Sequence, residues 1–341
     1  NPAVDKTCFG ERMCPGQVNR MDRVRNLPGG KGINVTRVLA GYGFPVRAMG
    51  FLGGHTGIFI ENGVRQFSAE CAFTQISEST RTNTNLITGD GYVTEILEPG
   101  PVVTETELSR FREDYEKALA DTELVVMSGS VPPGISPDIY RELIEKASSF
   151  GKKVILDTSK ESLREGIKGK PFLIKPNTKE LEYLTGRSLR NREEITEAAL
   201  MLCREGVHSV VVSMGEKGLL YISETERIAA RPPKIKAVNT VGCGDTAVAS
   251  LAMSVLAGED AKTALVKAAA ISAANATTVE NGVFSKERAE ELVQDAFELF
   301  WQKRAQLREH PTPGGWLMKT LQFLIRNEAR SAGGRLTQPP D

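Results

Sequence analysis

Histidine is scarce in this chain, with three in 341 residues, none beside another or beside a cysteine. Histidine-led catalysis is thereby disfavoured, and a carboxylate becomes the expected general base. The five cysteines, Cys8, Cys14, Cys71, Cys203 and Cys243, form no C-x-x-C pair. That argues against a zinc site and for a reducing, cytoplasmic setting. An excess of one charge is also missing: 43 Lys and Arg balance 43 Asp and Glu, which gives no support to nucleic-acid binding. No apolar run approaches the ~20 residues that span a bilayer, and no signal peptide is visible, so no membrane partner is expected. The pattern G-x-x-x-x-G-K-[ST] does not occur, which excludes a P-loop.

Short apolar runs alternating with helical patterns are present instead. "VRAMGFLG" (46–53), "ELVVMSGS" (123–130), "KVILDTS" (153–159), "FLIKPN" (172–177) and "SVVVSMG" (209–215) are continuous rather than alternating. Strands covered on both faces read this way. Helices are predicted near 105–120, 137–150 and 193–206, and again after Thr246, through 261–278 and 285–303. The order predicts an α/β fold with a mostly parallel central sheet covered by helices on both faces. In such sheets ligands collect at the carboxyl ends of the strands. Two half-polar segments, 17–25 and 84–98, break the rhythm and predict a small separate sheet, the second as a hairpin about Asp90–Gly91. The stretch 301–341 is basic and rich in proline and glycine around one short apolar helix candidate; it reads as a loosely attached extension.

Five clusters could carry chemistry. In "NTVGCGDTAVASL" (239–251), glycines precede a small, apolar helix. Uncapped N–H groups and the helix dipole would favour an anion there, with Asp245 beside it as a base. The same letters admit a plain capped turn, or a G-x-G-x-x-A dinucleotide fingerprint with Glu259 or Asp260 on a ribose. In "PGGKGINVTRVL" (28–39), Gly29, Gly30 and Gly32 permit close approach of a ligand, Lys31 can reach an anion, and Asn34 and Arg37 follow at helical spacing. "STRTNTNL" sets Arg81 and Asn83 on one side of an extended segment, Arg81 suited to a phosphate. In "KPNTKEL", Asn177 and Glu180 could serve a Mg²⁺–phosphate unit or form a capping box. "VVSMGEKGLLY" (211–221) could border a nucleotide or be a plain hairpin.

Taken in order, "NPAVD", "GGKGINVTRVL", "TRTN", "SGSVPPG", "KPNTKEL", "VSMGEKG" and "VGCGDT" resemble the phosphofructokinase B branch of the ribokinase-like sugar kinases over about residues 1–300. "INVTRVL" is similar to the phosphohexose kinases, the 1-phosphofructokinases and tagatose-6-phosphate kinases, rather than to ribokinase. The resemblance implies a ribokinase-like kinase domain over 1–300 with a β lid from about 7–26 and 83–99. It implies phosphorylation of a ketohexose phosphate by ATP with Mg²⁺, fructose 1-phosphate being favoured. Tagatose-6-phosphate kinase and 6-phosphofructokinase are the alternatives, followed by a kinase of nucleosides or unphosphorylated sugars. An NAD(P)-dependent oxidoreductase is the reading from a different class.

The roles implied are specific. Asp245 would be the base, and the amides of Gly242, Cys243 and Gly244 would hold the transferring phosphoryl group. Asp5, Gly29, Gly30, Asn34 and Asn83 would bind sugar hydroxyls. Lys31, Arg81, Ser128 and Ser130 would receive the substrate phosphate. Asn177 and Glu180 would position Mg²⁺, through water. Ser213, Gly215, Gly218 and Asn275 would border the nucleotide. The resemblance also admits a homodimer through the lid, and it places a first strand ahead of "NP", so that a truncated start is expected. Cys243 stands where the family more often has Ala or Ser; a helix N-terminus would lower its thiol pKa.

Overall fold

The computed structural model describes residues 1–90, 92–231 and 238–278, with Ala289 and Val293. Those two residues aside, the helix expected over 285–303 and the extension 301–341 lie outside the described residues, as does Gly91 of the expected turn. The chain opens with β1 (Ala3–Gly10), β2 (Arg23–Gly29), α1 (Lys31–Gly41), β3 (Arg47–Leu52), α2 (Gly54–Gln66) and β4 (Glu70–Gln75). It continues with β5 (Thr82–Thr88), β6 (Val93–Ile96), α3 (Glu105–Ala118), β7 (Leu124–Ser128), α4 (Ile139–Ser149), β8 (Lys153–Asp157) and α5 (Lys160–Gly166). Then come β9 (Leu173–Ile174), α6 (Thr178–Thr185), α7 (Arg192–Arg204), β10 (Ser209–Ser213), β11 (Leu219–Ile222) and β12 (Arg227–Ala230). Two helices, α8 (Cys243–Leu256) and α9 (Ala261–Ala276), follow.

The continuous apolar runs form the centre of a six-stranded sheet ordered β12-β11-β10-β9-β8-β7, with β7 to β10 parallel. Their lack of alternation has a direct cause. Val154 and Leu156 of β8 enter a core shared with α3, α4 and α7, while Ile155 between them enters a second core with α1, α8 and α9. Val210, Val211 and Val212 of β10 divide in the same way. Both faces are therefore covered, as parallel sheets require. α3 begins at a capping box, Thr104 with Glu107, and buries Leu108, Phe111 and Tyr115 along one stripe. α8 is buried nearly all round, its Ala247, Ala249 and Ala252 letting α1 and α9 pack close.

Two differences from the sequence reading stand out. β3, expected within the central sheet, pairs with β4 alone as a parallel two-stranded sheet. Its residues Arg47, Met49, Gly50 and Phe51 face those of β7 across a cavity of about 220 Å³, so no ladder joins the two sheets there. The second small sheet is ordered β2-β1-β5-β6. Its strand β2 starts only at Arg23, because Asn19 ties the preceding turn to Cys14 and Gln17 through its side chain.

Candidate active site

Glycines admit the close contacts that shape the site. A Cβ on Gly29 would fall 2.0 Å from Asp5 Oδ2, so the end of β2 can lie against that carboxylate only as glycine. Gly242 caps α8 in a left-handed conformation, φ 79°, and offers no side-chain acceptor to the first turn. Gly30, at φ 92°, likewise caps α1 without a side-chain acceptor. Two helix N-termini with uncapped amides thus open onto one cavity of about 1250 Å³, beside the carboxyl ends of β7 and β8.

Asp245 lies in the first turn of α8 and is buried. Its Oδ2 accepts from Asn34 Nδ2 at 2.8 Å, joining the N-terminal turns of α8 and α1. Burial is the main reason its pKa is pushed up to about 6; Asp157 adds to the rise, while Lys31, the Asn34 hydrogen bond and Lys175 oppose it. Asp157 itself is buried at the end of β8 between two ammonium groups, Lys31 Nζ at 3.0 Å and Lys175 Nζ at 3.2 Å. Burial works against its charge, but the two lysines outweigh that and hold the carboxyl below its usual range. Burial likewise opposes the charge on Lys31, and Asp157 and Asp245 more than compensate, raising its pKa. Lys175 lies against the GCGD turn, its Nζ 3.4 Å from where a Cβ on Gly244 would be.

At the end of the cavity bordered by the four-stranded sheet, Asn83 of β5 donates to Asp5 Oδ1 of β1 at 3.3 Å, the two being directly paired in register. Burial raises the Asp5 pKa, against the pull of Asn83 and the Gly30 amide. Arg81 spends hydrogen bonds on the carbonyls of Glu98 and Asn1, at 2.7 and 3.0 Å. The Ser128–Ser130 turn is braced through Gly129, whose carbonyl accepts from Tyr140 Oη and Thr158 Oγ1. Ser130 Oγ accepts from Asn1. Five buried polar atoms here have no partner: Asn1 Oδ1, Arg81 Nε, Ser128 Oγ, Asn83 Oδ1 and Asn85 Oδ1. Their residues all line the large cavity. Unpaired polar atoms are costly to bury, so a polar ligand is their natural complement.

Asp5, Gly30, Lys31, Asn34, Arg81, Asn83, Ser128, Ser130, Asn177, Glu180, Ser213, Gly242, Gly244 and Asp245 share that cavity. Gly29, Cys243, Gly215, Gly218 and Asn275 do not line it. Gly215 and Gly218 instead shape the tight turn between β10 and β11. Asn275, expected beside the nucleotide, is buried and braces the GCGD turn, donating to Val241 O at 3.1 Å and Cys243 Sγ at 3.4 Å. Asn34, expected on sugar hydroxyls, puts its amide nitrogen on Asp245. The Cys243 thiol is raised, not lowered: burial and the nearby Asp245 charge outweigh the hydrogen bond from Asn275. Asn177 and Glu180 form the capping box of α6, with bonds of 2.9 and 2.8 Å. Among the described residues no group of three or more His, Cys, Asp or Glu is arranged to hold a metal.

Asp157 and Lys175 went unread in the sequence, although an Asp and a Lys closing buried apolar runs were a signal. The dinucleotide reading lacks its following context, since α8 runs on into α9 rather than into a βαβ unit. Among the described residues no helix is long and apolar enough to cross a membrane.

The chain is similar in sequence and fold to known carbohydrate kinases. Residues 3–287 match the pfkB family of carbohydrate kinases. The chain is 34% identical to a 1-phosphofructokinase of Vibrio cholerae, covering 86% of this chain and 93% of that one. It is 36% identical to a 1-phosphofructokinase of Bacillus subtilis, covering 73% and 81%. Its fold is similar to the crystal structure of Escherichia coli phosphofructokinase-2 in complex with substrates and products, with a TM-score of 0.80, 27% identity, and 86% and 96% of the two chains covered.

Proposed function

The chain belongs to the pfkB family of carbohydrate kinases, and on that premise we propose that it phosphorylates fructose 1-phosphate at its free primary hydroxyl, giving fructose 1,6-bisphosphate. It is an ATP-dependent sugar-phosphate kinase. The observation that carries the residue roles is a buried carboxylate, Asp245, at an uncapped helix N-terminus, joined to Asn34 in a cavity that also holds Lys31, Lys175 and Arg81.

With Asn34 on Oδ2, Oδ1 of Asp245 is the oxygen left to accept the proton of the attacking hydroxyl. A pKa of about 6 keeps the group ionised at neutral pH yet close enough to it to take a proton readily. Gly242 and the first-turn amides of α8 present preorganised donors to the oxygens of the transferring phosphoryl group. Each such donor is worth roughly 3 kcal/mol in the transition state. Lys31 and Lys175, set on either side of Asp157, place two fixed positive charges beside that path. Arg81 Nε, Ser128 Oγ and Asn83 Oδ1 are the unpaired groups offered to the sugar phosphate.

Mg²⁺ fits this donor set in a limited way. The capping box engages Asn177 Oδ1 and Glu180 Oε2, so Glu180 brings one further carboxylate oxygen to the cavity rim. Mg²⁺ is commonly held by one or two carboxylates, with water and substrate phosphates completing the shell. When bound it would neutralise phosphate charge. The β2-β1-β5-β6 sheet is the lid of this reading. Its exposed Val24, Val93 and Ile96, with Tyr92 and Leu97 alongside, support a second copy of the chain as the partner of that surface.

Fructose 1-phosphate, tagatose 6-phosphate and fructose 6-phosphate, each with ATP and Mg²⁺ and scored by kcat/KM, test the assignment. The highest value is expected for fructose 1-phosphate. A higher value for either competitor overturns the substrate, and turnover of none overturns the reading.

A further inference from the structure

The Asn34 amide lies between two groups of opposite hydrogen-bonding character. On one side Asp245 Oδ2, an acceptor when ionised, takes its Nδ2–H at 2.8 Å. On the other, Arg37 Nη1, which can only donate, lies 3.4 Å from its Oδ1. Only one orientation of the amide satisfies both neighbours. Asn34 and Arg37 are three apart on α1, so they share a face, and both are buried. Arg37 is itself held: Nη2 donates to the Pro28 carbonyl at the end of β2, and the guanidinium lies 4.9 Å from the centre of the Phe67 ring. It does not line the large cavity but a smaller one of about 220 Å³ beneath the four-stranded sheet.

We propose that Arg37 is a positioning residue for phosphoryl transfer: by donating to Asn34 Oδ1 it locks the Asn34 amide with its NH₂ on Asp245, and so leaves Asp245 Oδ1 to take the hydroxyl proton. The inference rests on the reading of Asp245 as the base. Without Arg37 the amide is free to turn over and present its carbonyl to Asp245. A carbonyl repels the carboxylate and accepts a hydrogen bond from the protonated acid, so the base would hold its proton to higher pH. The other charged groups facing Asp245 are Lys31 from α1, Asp157 from the end of β8, and Lys175 just beyond β9. None of them changes in the variants below.

The test is the pH profile of kcat/KM for wild type, Arg37→Met, Arg37→Lys, Asn34→Ala and the Asn34→Ala/Arg37→Met double variant, with folding checked by circular dichroism. In Arg37→Met the acid limb is expected to move up by about half a pH unit or more, with kcat lower by about tenfold and KM for ATP little changed. Arg37→Lys, which can still donate, should recover part of both effects. On the Asn34→Ala background Arg37→Met should move the limb no further. An unmoved limb in Arg37→Met, or an equal movement on both backgrounds, overturns the proposal. If Arg37→Met does not fold, Arg37→Lys decides: a limb between those of wild type and Asn34→Ala supports the lock, and a wild-type limb with reduced kcat overturns it. Asp245→Asn separates the two ideas, because near-normal turnover there would remove the base assignment whatever Arg37 does.

Discussion

Asn34 Nδ2 donates to Asp245 Oδ2 at 2.8 Å, joining the first turns of two helices that lie 211 residues apart in the chain. The bond fixes which carboxylate oxygen remains for chemistry. It also makes the glycine-rich helix start at 28–39 and the GCGD turn two halves of one site. Read alone, the GCGD turn also admits a plain capped turn.

Asp245→Asn retains the shape of the turn and the uncapped amides but removes the proton acceptor. Turnover should fall by about 10³-fold, within the range for loss of a general base. Affinity for ATP, measured by equilibrium binding, should change by no more than a few-fold. Turnover within tenfold of wild type would sink the base assignment.

The pH dependence follows from the same group. Asp245 accepts a proton only when ionised, and burial lifts its pKa from 3.8 to about 6. Activity should therefore be complete above neutrality and fall as pH drops through that value, losing about tenfold per unit below it. The sugar phosphate has its own ionisation near pH ~6, so its limb must be told apart. Asn34→Ala does this: removing a donor to the carboxylate moves the enzyme limb upward and leaves the substrate's unchanged. A wild-type limb below pH ~5 would contradict a buried base.

Asp157 is buried and pairs with both Lys31 and Lys175, and Asp157→Asn leaves the buried Lys175 ammonium without its carboxylate and Lys31 without the same partner. Breaking a buried pair in this way costs on the order of 3 kcal/mol. The folded-state pKa of Asp157 lies below its ordinary 3.8. Its contribution is thus complete above that value and is lost as pH falls through the folded value. The difference in urea midpoint between wild type and Asp157→Asn should stay constant from pH 8 to about 5 and narrow below pH ~4. A gap that widens on acidification would rule out this pairing.

Much of the sheet was legible because burial on both faces writes itself as continuous apolar text, as in "KVILD" and "SVVVS". β1 and β4 were not read, since half-exposed strands with mixed side chains resemble loops. The candidate site was legible where the chemistry is local, in the glycine turns that uncap α1 and α8. It was illegible where partners come from distant elements. Nothing local to "ILDTS" tells that Asp157 meets Lys31 and Lys175, and nothing local to "GINVTRV" tells that Asn34 donates to Asp245. Asn177 and Glu180 show a third limit. A capping box and a pair of metal-facing groups ask for the same residues at the same spacing, and the folded chain makes the cap.

Cys243 reverses an expectation drawn from helix polarity. A helix N-terminus favours a thiolate, but desolvation at this site opposes it, and the ionised Asp245 nearby adds repulsion. The hydrogen bond from Asn275 to the sulfur pulls the other way and does not prevail. Since the thiolate is the nucleophile, alkylation should be slow. With iodoacetamide at pH 7.5, the rate at Cys243, followed by peptide mass spectrometry, should be below about a tenth of that of free cysteine. Disrupting the desolvated environment with urea should speed it. Labelling of the folded protein faster than free cysteine would show that the helix terminus wins over burial after all.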